Sequence, residues 1–125
     1  MQPNHTPEAK RLKEKLAQID AFWSPRIVAA VNDHELKLAK IEGAFDWHHH
    51  PDTDEVFFVI EGAMDLHFRD RVVHLEAGDL CVAPRGVEHK PVAAQPCSIL
   101  LIEKTGTLNT GNVVTDRTRE ETPWI

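Results

Sequence analysis

The sequence has no tyrosine, two methionines, two cysteines and only 6% aromatic residues. Two cysteines, Cys81 and Cys97, cannot build the disulfide framework of a small secreted scaffold. Both sit in apolar, strand-like stretches where a thiol serves as a small hydrophobe. Neither has a neighbouring His or basic residue to depress its pKa. The only serines, Ser24 and Ser98, stand outside any Gly-x-Ser-x-Gly setting, so no nucleophile is evident. No stretch approaches the roughly 18 apolar residues of a membrane span, and no membrane partner is expected. The opening MQPNHTPEAKRLKEK lacks an apolar signal core, which makes the cytoplasm the expected location. Basic excess is missing too: 14 Lys and Arg face 20 Asp and Glu, for a net charge of -6. The cluster Lys10, Arg11, Lys13 and Lys15 is interleaved with Glu8 and Glu14. It reads as a solvated helix face, and no nucleic-acid partner is expected.

What the chain does carry is histidine, 8 in 125 residues, three of them adjacent at positions 48–50. The run is internal and leads into a patterned β segment, so it is no purification tag. The length suits a single domain over 1–125, and 42% hydrophobic residues can fill one ordinary core.

Thr6 followed by Pro7 predicts a helix start, with Thr6 as N-cap. Ala9, Leu12, Leu16, Ile19 and Trp23 recur at spacings of three and four, which predicts an amphipathic helix over 7–20. Ser24-Pro25 stops it. Short strands then follow, at 27–31, 35–42, 44–49, 55–60, 63–68, 72–76, 80–83, 88–92 and 98–103. Turn residues such as Asn32-Asp33, Gly43, Glu61-Gly62, Gly78-Asp79 and Pro84-Arg85-Gly86 separate them. Strands at this spacing with no helices between them predict an all-β sandwich or barrel over 27–103. The tail, 104–125, reads as irregular, with one further edge strand near 112–115.

His48 and His50 are two apart, so on a strand both point to one face and His49 to the other. Two imidazoles roughly 7 Å apart along a strand can converge on one ion. Glu55 has the wrong parity to join them on a continuous strand, but the turn Pro51-Asp52-Thr53-Asp54 lets the strand restart. From Glu55, the run Val56-Phe57-Phe58-Val59-Ile60 is apolar on both faces, as in a strand covered on both sides. A second cluster follows: Gly78, five residues, Pro84-Arg85-Gly86, two residues, His89.

His-x-His, four residues, Glu55, six residues, Gly62 resembles the first motif of the cupin superfamily. Gly78 to His89 resembles the second. The resemblance spans roughly residues 36–103. It implies a double-stranded β-helix, or jelly-roll, barrel with one short N-terminal α-helix. It also implies that His48, His50, Glu55 and His89 bind one divalent transition metal ion, of Fe, Mn, Ni, Co or Zn. Three imidazoles and a carboxylate suit that set. On an octahedral ion four protein ligands leave two positions open, whereas tetrahedral zinc would be closed and structural. The tail resembles that of single-domain cupins without an assigned reaction. Cupins commonly pair, and a homodimer is expected on that ground and from the apolar helix and strand faces.

Phe57 and Val59 share the parity of Glu55, and Met64, Leu66 and Phe68 form the inward face of the next strand. These five are the expected lining of an apolar substrate pocket. Arg85 is either an anchor for an anionic substrate or a solvated turn residue. His5, His34, His49, His67 and His74 read as ordinary surface or core residues. The functional expectation is a metal-dependent enzyme on a small molecule, of dioxygenase, isomerase, cyclase or lyase type, with catalytic residues unassigned. A metabolite- or sugar-binding module without catalysis and a metal-stabilised scaffold remain the alternatives.

Overall fold

Residues 7–125 are described by a computed structural model. After one short helix, α1 (Leu12–Leu16), seven strands follow: β1 (Arg26–Val31), β2 (His34–Ala44), β3 (Glu55–Glu61), β4 (Ala63–Phe68), β5 (Val72–Glu76), β6 (Leu80–Ala83) and β7 (His89–Lys104). All strand pairs are antiparallel.

The β2–β7 pair is the spine. Its register runs unbroken from His34↔Lys104 to Ile41↔Cys97, then resumes at Gly43↔Ala93. Three residues of β7 (Ala94, Gln95 and Pro96) therefore oppose Glu42 alone, a bulge that bends the pair. Beyond the bend the last third of β7 pairs with β3, which pairs with β6. Before the bend, the start of β7 pairs with β4, which pairs with β5. One long strand thus serves both halves of a jelly-roll fold. The sheet does not close, since β5 and β6 each pair on one side only.

The sequence pattern predicts separate strands at 88–92 and 98–103, and at 35–42 and 44–49. Instead β7 is continuous, because Pro96 lies in the bulge, where its missing N–H costs no ladder bond. Likewise β2 runs past Gly43, which takes the left-handed conformation at φ +82°. Residues 45–50 are not a strand and meet the start of β7 through the isolated bridge His48↔His89 and a hydrogen bond from Phe45 N–H to Pro91 O.

The helix differs from the expected 7–20. It is confined to Leu12–Leu16 because Arg11 is extended (φ -90°, ψ 102°) and offers no side-chain cap. Thr6 and His5 lie outside the described residues. The apolar stripe is still used: Leu16 and Ile19 are buried against Val28 and Leu38 on the outer face of β1 and β2. Trp23 leaves that stripe and packs against the inner core, with Ala39, Ile41, Phe57, Val59, Met64, Leu66 and Ile99 among its members. The tail has no strand at 112–115. It turns repeatedly and ends in a parallel bridge from Trp124 to Ile27.

Gly62 shows why the β3–β4 hairpin needs glycine. Its φ is +86°, and a Cβ there would lie 2.8 Å from the carbonyl oxygen of Pro96. The hairpin is therefore seated directly on the bend of β7. Gly62→Ala should destabilise the fold by about 1–3 kcal/mol, through backbone strain and the forced separation. Urea denaturation checks this, and an unchanged midpoint would contradict it.

Candidate metal centre

Three chain segments bring four side chains together. The 45–50 segment carries His48 and His50, β3 begins at Glu55, and β7 begins at His89. His48 and His89 are tied by two backbone hydrogen bonds, His48 N–H to His89 O at 3.1 Å and His89 N–H to His48 O at 2.8 Å. This pairing brings the imidazoles together across the bridge, with ring centroids 4.4 Å apart. The turns of the two motifs also interlock. Gly86 N–H donates to His50 O at 2.9 Å, and Arg85 N–H donates to Asp54 Oδ1 at 2.9 Å. The Pro51–Asp54 turn is thereby fixed, and Glu55 enters the same interior as the histidines.

One potential ligand atom from each of His48, His50, Glu55 and His89 lies within 4.8 Å of all the others, and all four residues are buried. The tautomers of two histidines follow from their partners. His48 Nδ1 donates to Asp46 O at 2.8 Å, and His89 Nδ1 donates to Val87 O at 3.0 Å. Each Nδ1 is thus occupied by a carbonyl, which leaves Nε2 facing the interior, where His89 Nε2 lies 3.3 Å from Glu55 Oε1. His50 Nε2 stands 3.1 Å from Glu55 Oε1 but out of line for a hydrogen bond, which leaves a buried nitrogen without a partner. A shared cation is the partner that such a donor set fits.

Electrostatics agree. Burial, then the neighbouring His89, pushes the pKa of His48 down to about 4. Burial would raise the pKa of Glu55, but His50 and His89 outweigh it and hold the carboxyl well below its usual range. Glu103, at the end of β7, is buried near Glu55, and its Oε2 has no hydrogen-bond partner among the described residues. Burial first, then the Glu55 charge, pushes its pKa well above normal. Lys37 Nζ meets Glu103 Oε1 at 2.9 Å, both side chains being 2% exposed. The centre is thus backed by a buried Lys37–Glu103 ion pair whose carboxyl feels the Glu55 charge.

The tail clasps the His48–His50 segment from outside. Asn112 accepts from His49 N–H through Oδ1 at 2.8 Å, and its own N–H donates to His49 O at 3.0 Å. Gly111 (φ +58°) is packed so tightly that a Cβ would collide with His49 O and crowd the ring of His48. Thr115 donates to Asp46 Oδ2, steadying the residue whose carbonyl orients His48. Sequence reading missed Gly111, Asn112, Lys37 and Glu103. Glu103 carried a signal, since it follows the apolar run Ile99–Ile102 of β7, whereas Lys37 alternates with Leu36 and Leu38 as an outward-facing residue would.

Of the expected pocket residues, Phe57 lines a cavity beside His48 and Glu55 and meets the ring of His89 edge-on at 5.7 Å. Val59, Met64 and Leu66 are buried in the core and do not line that cavity. Phe68 is half-buried, 6.5 Å from the His89 ring. Arg85 stands apart from the cavity, with its side chain 67% exposed and its guanidinium 3.8 Å from Asp54. His49 is half-buried and outside the cluster, His34 and His74 pair with nearby carboxylates, and His67 is half-buried. Both cysteines are free, and burial pushes the Cys97 thiol up to about 11. No helix is long and apolar enough to cross a membrane among the described residues.

A pH dependence follows for the metal-free protein. The folded-state pKa of His48, about 4, lies below its ordinary value of 6.5, so between these values the unfolded chain binds more protons. Stability should therefore fall as pH drops from 6.5 toward 4, by up to about 3 kcal/mol from this group. Chemical denaturation of chelator-treated protein across that range checks it. Stability that held constant or rose on acidification would contradict it.

Comparison with known proteins agrees with this geometry. Residues 34–103 match the Cupin_2 family, described as a cupin domain. The Bacillus subtilis protein YdbB is 40% identical over 83 residues, covering 66% of this chain and 67% of that protein. An acireductone dioxygenase of Sulfurihydrogenibium sp. is 33% identical over 86 residues, but the chain spans only 45% of that protein's length. Among solved structures, a cupin-2 domain protein from Shewanella frigidimarina is 47% identical, with a TM-score of 0.75. The match covers 76% of this chain and 93% of that one. Protein NMB1881 from Neisseria meningitidis is 34% identical with a TM-score of 0.72, over 78% and 100% of the two chains. Sequence motifs, fold and relatives converge: the chain belongs to the cupin family.

Proposed function

We propose that His48, His50, Glu55 and His89 hold one divalent transition metal ion, and that the chain is a metal-dependent enzyme acting on a small molecule. The observation that carries this reading is the convergence of four buried donor atoms within 4.8 Å, two of them with tautomers already fixed by backbone carbonyls. The reaction class is a dioxygenase, isomerase, cyclase or lyase. The likeness to an acireductone dioxygenase gives weight to the first of these. When bound, such an ion supplies Lewis acidity or a site for oxygen. The chain's own part is to hold Glu55 ionised, keep His48 neutral at physiological pH, and exclude bulk water with Phe45 and Phe57.

One observation favours the second reading, a binding module without catalysis. The only titratable side chains lining the cavity beside the centre, among the described residues, are His48 and Glu55. Both are in the donor set, so no separate acid or base is at hand. Pairing with a second copy belongs to either reading. Its support is the exposed apolar side chains Val72, Leu80 and Val82 on the edge strands β5 and β6. Light scattering should give a dimer mass, and a monomer mass would remove the pairing.

The enzyme reading is tested by oxygen uptake and product analysis on protein loaded with Fe(II), Mn(II), Ni(II), Co(II) or Zn(II), across a panel of small enols, ketones and sugars. Turnover that depends on the metal and is lost in Glu55→Gln supports it. Full metal occupancy with ligand capture but no chemical change anywhere in the panel would favour the binding module instead.

A further inference from the structure

The cavity beside the candidate metal centre has an unusual lining. His48 and Glu55 line it together with apolar residues that include Ala39, Ile41, Phe57 and Ile99. No Lys or Arg side chain among the described residues lines it, and Asn109, its one other polar residue, is engaged elsewhere. That amide donates to Arg117 O and accepts from Arg119 N–H, both at 2.8 Å. The free interior is about 40 Å³, room for roughly three water molecules.

An aromatic pair forms part of the wall. Trp23 and Phe45 both line the cavity and stack with centroids 4.8 Å apart and planes 26° apart. Arg117, which does not line the cavity, lies over both rings at 5.7 Å and 5.6 Å. Trp23 is also held by its backbone N–H on Lys40 O and its indole N–H on Glu42 O, each at 2.9 Å. Its φ is 58°, a conformation that a bulky side chain rarely adopts. Such an outlier persists only where its surroundings over-determine it, and here three anchors fix the indole against Phe45.

We propose that this cavity receives the uncharged, apolar body of a small ligand whose other end reaches the metal, and that the Trp23–Phe45 stack sets the width it accepts. The inference rests on the metal reading above and deepens it by naming the ligand class. A divalent ion with one carboxylate ligand leaves a single net positive charge, so the chelating end can carry one negative charge. The body cannot carry another. An anionic group among Ile41, Phe57 and Ile99 would lose its hydration with no cation to replace it. Sugar acids and dicarboxylates are therefore poor fits: Arg85 and Arg117 both lie outside the cavity lining, and Arg117 is engaged with Ala44 O and the two aromatic rings.

Three hydroxamates with one chelating head separate the possibilities on Mn(II)-loaded protein, read by calorimetry. Acetohydroxamate has almost no body, butyrohydroxamate has an apolar one, and succinic monohydroxamate replaces the terminal methyl by a carboxylate. Butyrohydroxamate should bind at least about tenfold more tightly than succinic monohydroxamate and more tightly than acetohydroxamate. Equal or tighter binding of the charged compound overturns the proposal, as does a butyrohydroxamate affinity no better than that of acetohydroxamate. A chain that takes up no Mn(II) defeats the metal reading, whereas a loaded chain that binds none of the three overturns this proposal alone, which distinguishes the two failures. Trp23→Ala should weaken butyrohydroxamate several-fold and leave acetohydroxamate within about twofold. Equal losses for both would show that Trp23 acts on the fold and not on the ligand. Trp23→Phe, the milder variant, should shift in the same direction by less.

Discussion

Glu55 is a carboxylate taken almost wholly out of water at the start of β3, and burial alone would push its proton back on. The nearby His50 and His89 reverse that tendency, and the surrounding fold keeps them there. The His48↔His89 bridge joins two segments by backbone bonds, so the imidazoles are placed by the ladder and not by flexible side chains. Asp46 and Val87 carbonyls then choose which ring nitrogen faces inward. Removing one side chain of such a set would strand the others in the interior without compensation. That penalty exceeds the net worth of any single interaction within the set.

The bend in the β2–β7 pair serves the same end. A flat pair would place the start of β7 and the start of β3 in different parts of one sheet. The bulge at Ala94–Pro96 lets β7 deliver His89 on one side of the bend and pair with β3 on the other. Gly62 fits against that bend, and Asn112 and Gly111 close the outside of the His48–His50 segment. The buried Lys37–Glu103 pair adds a polar layer near Glu55, between β2 and β7. Strands and the tail thus support the centre from several sides, and an apolar cavity opens beside it beneath Trp23 and Phe45.

Much of this was legible in the sequence, for identifiable reasons. Short apolar runs punctuated by turn residues placed β1, β3, β4, β5 and β6 within a residue or two, because each is bounded by a hairpin or tight turn. The four donor residues were legible through the resemblance of their spacing to the two cupin motifs. The strand parity expected for His48 and His50 did not hold, since residues 45–50 form no strand. The extent of the helix was not, because Arg11 adopts an extended conformation although the apolar stripe continues on both sides of it. The continuity of β7 was hidden by Pro96, whose role depends on a bulge that only the pairing with β2 defines. Trp23 has the right spacing for the helical stripe, yet its backbone turns it into the inner core. The Asn112 clasp joins residues 63 positions apart, and nothing local announces it.

Metal content of the natively purified protein, measured by elemental analysis alongside the His50→Ala and Glu55→Gln variants, tests the central claim most directly. The account predicts close to one equivalent of a divalent transition metal per chain, lost or strongly reduced in both variants. A wild-type chain that purifies without metal and takes up none from Mn(II), Fe(II), Co(II), Ni(II) or Zn(II) solutions near neutral pH would contradict it.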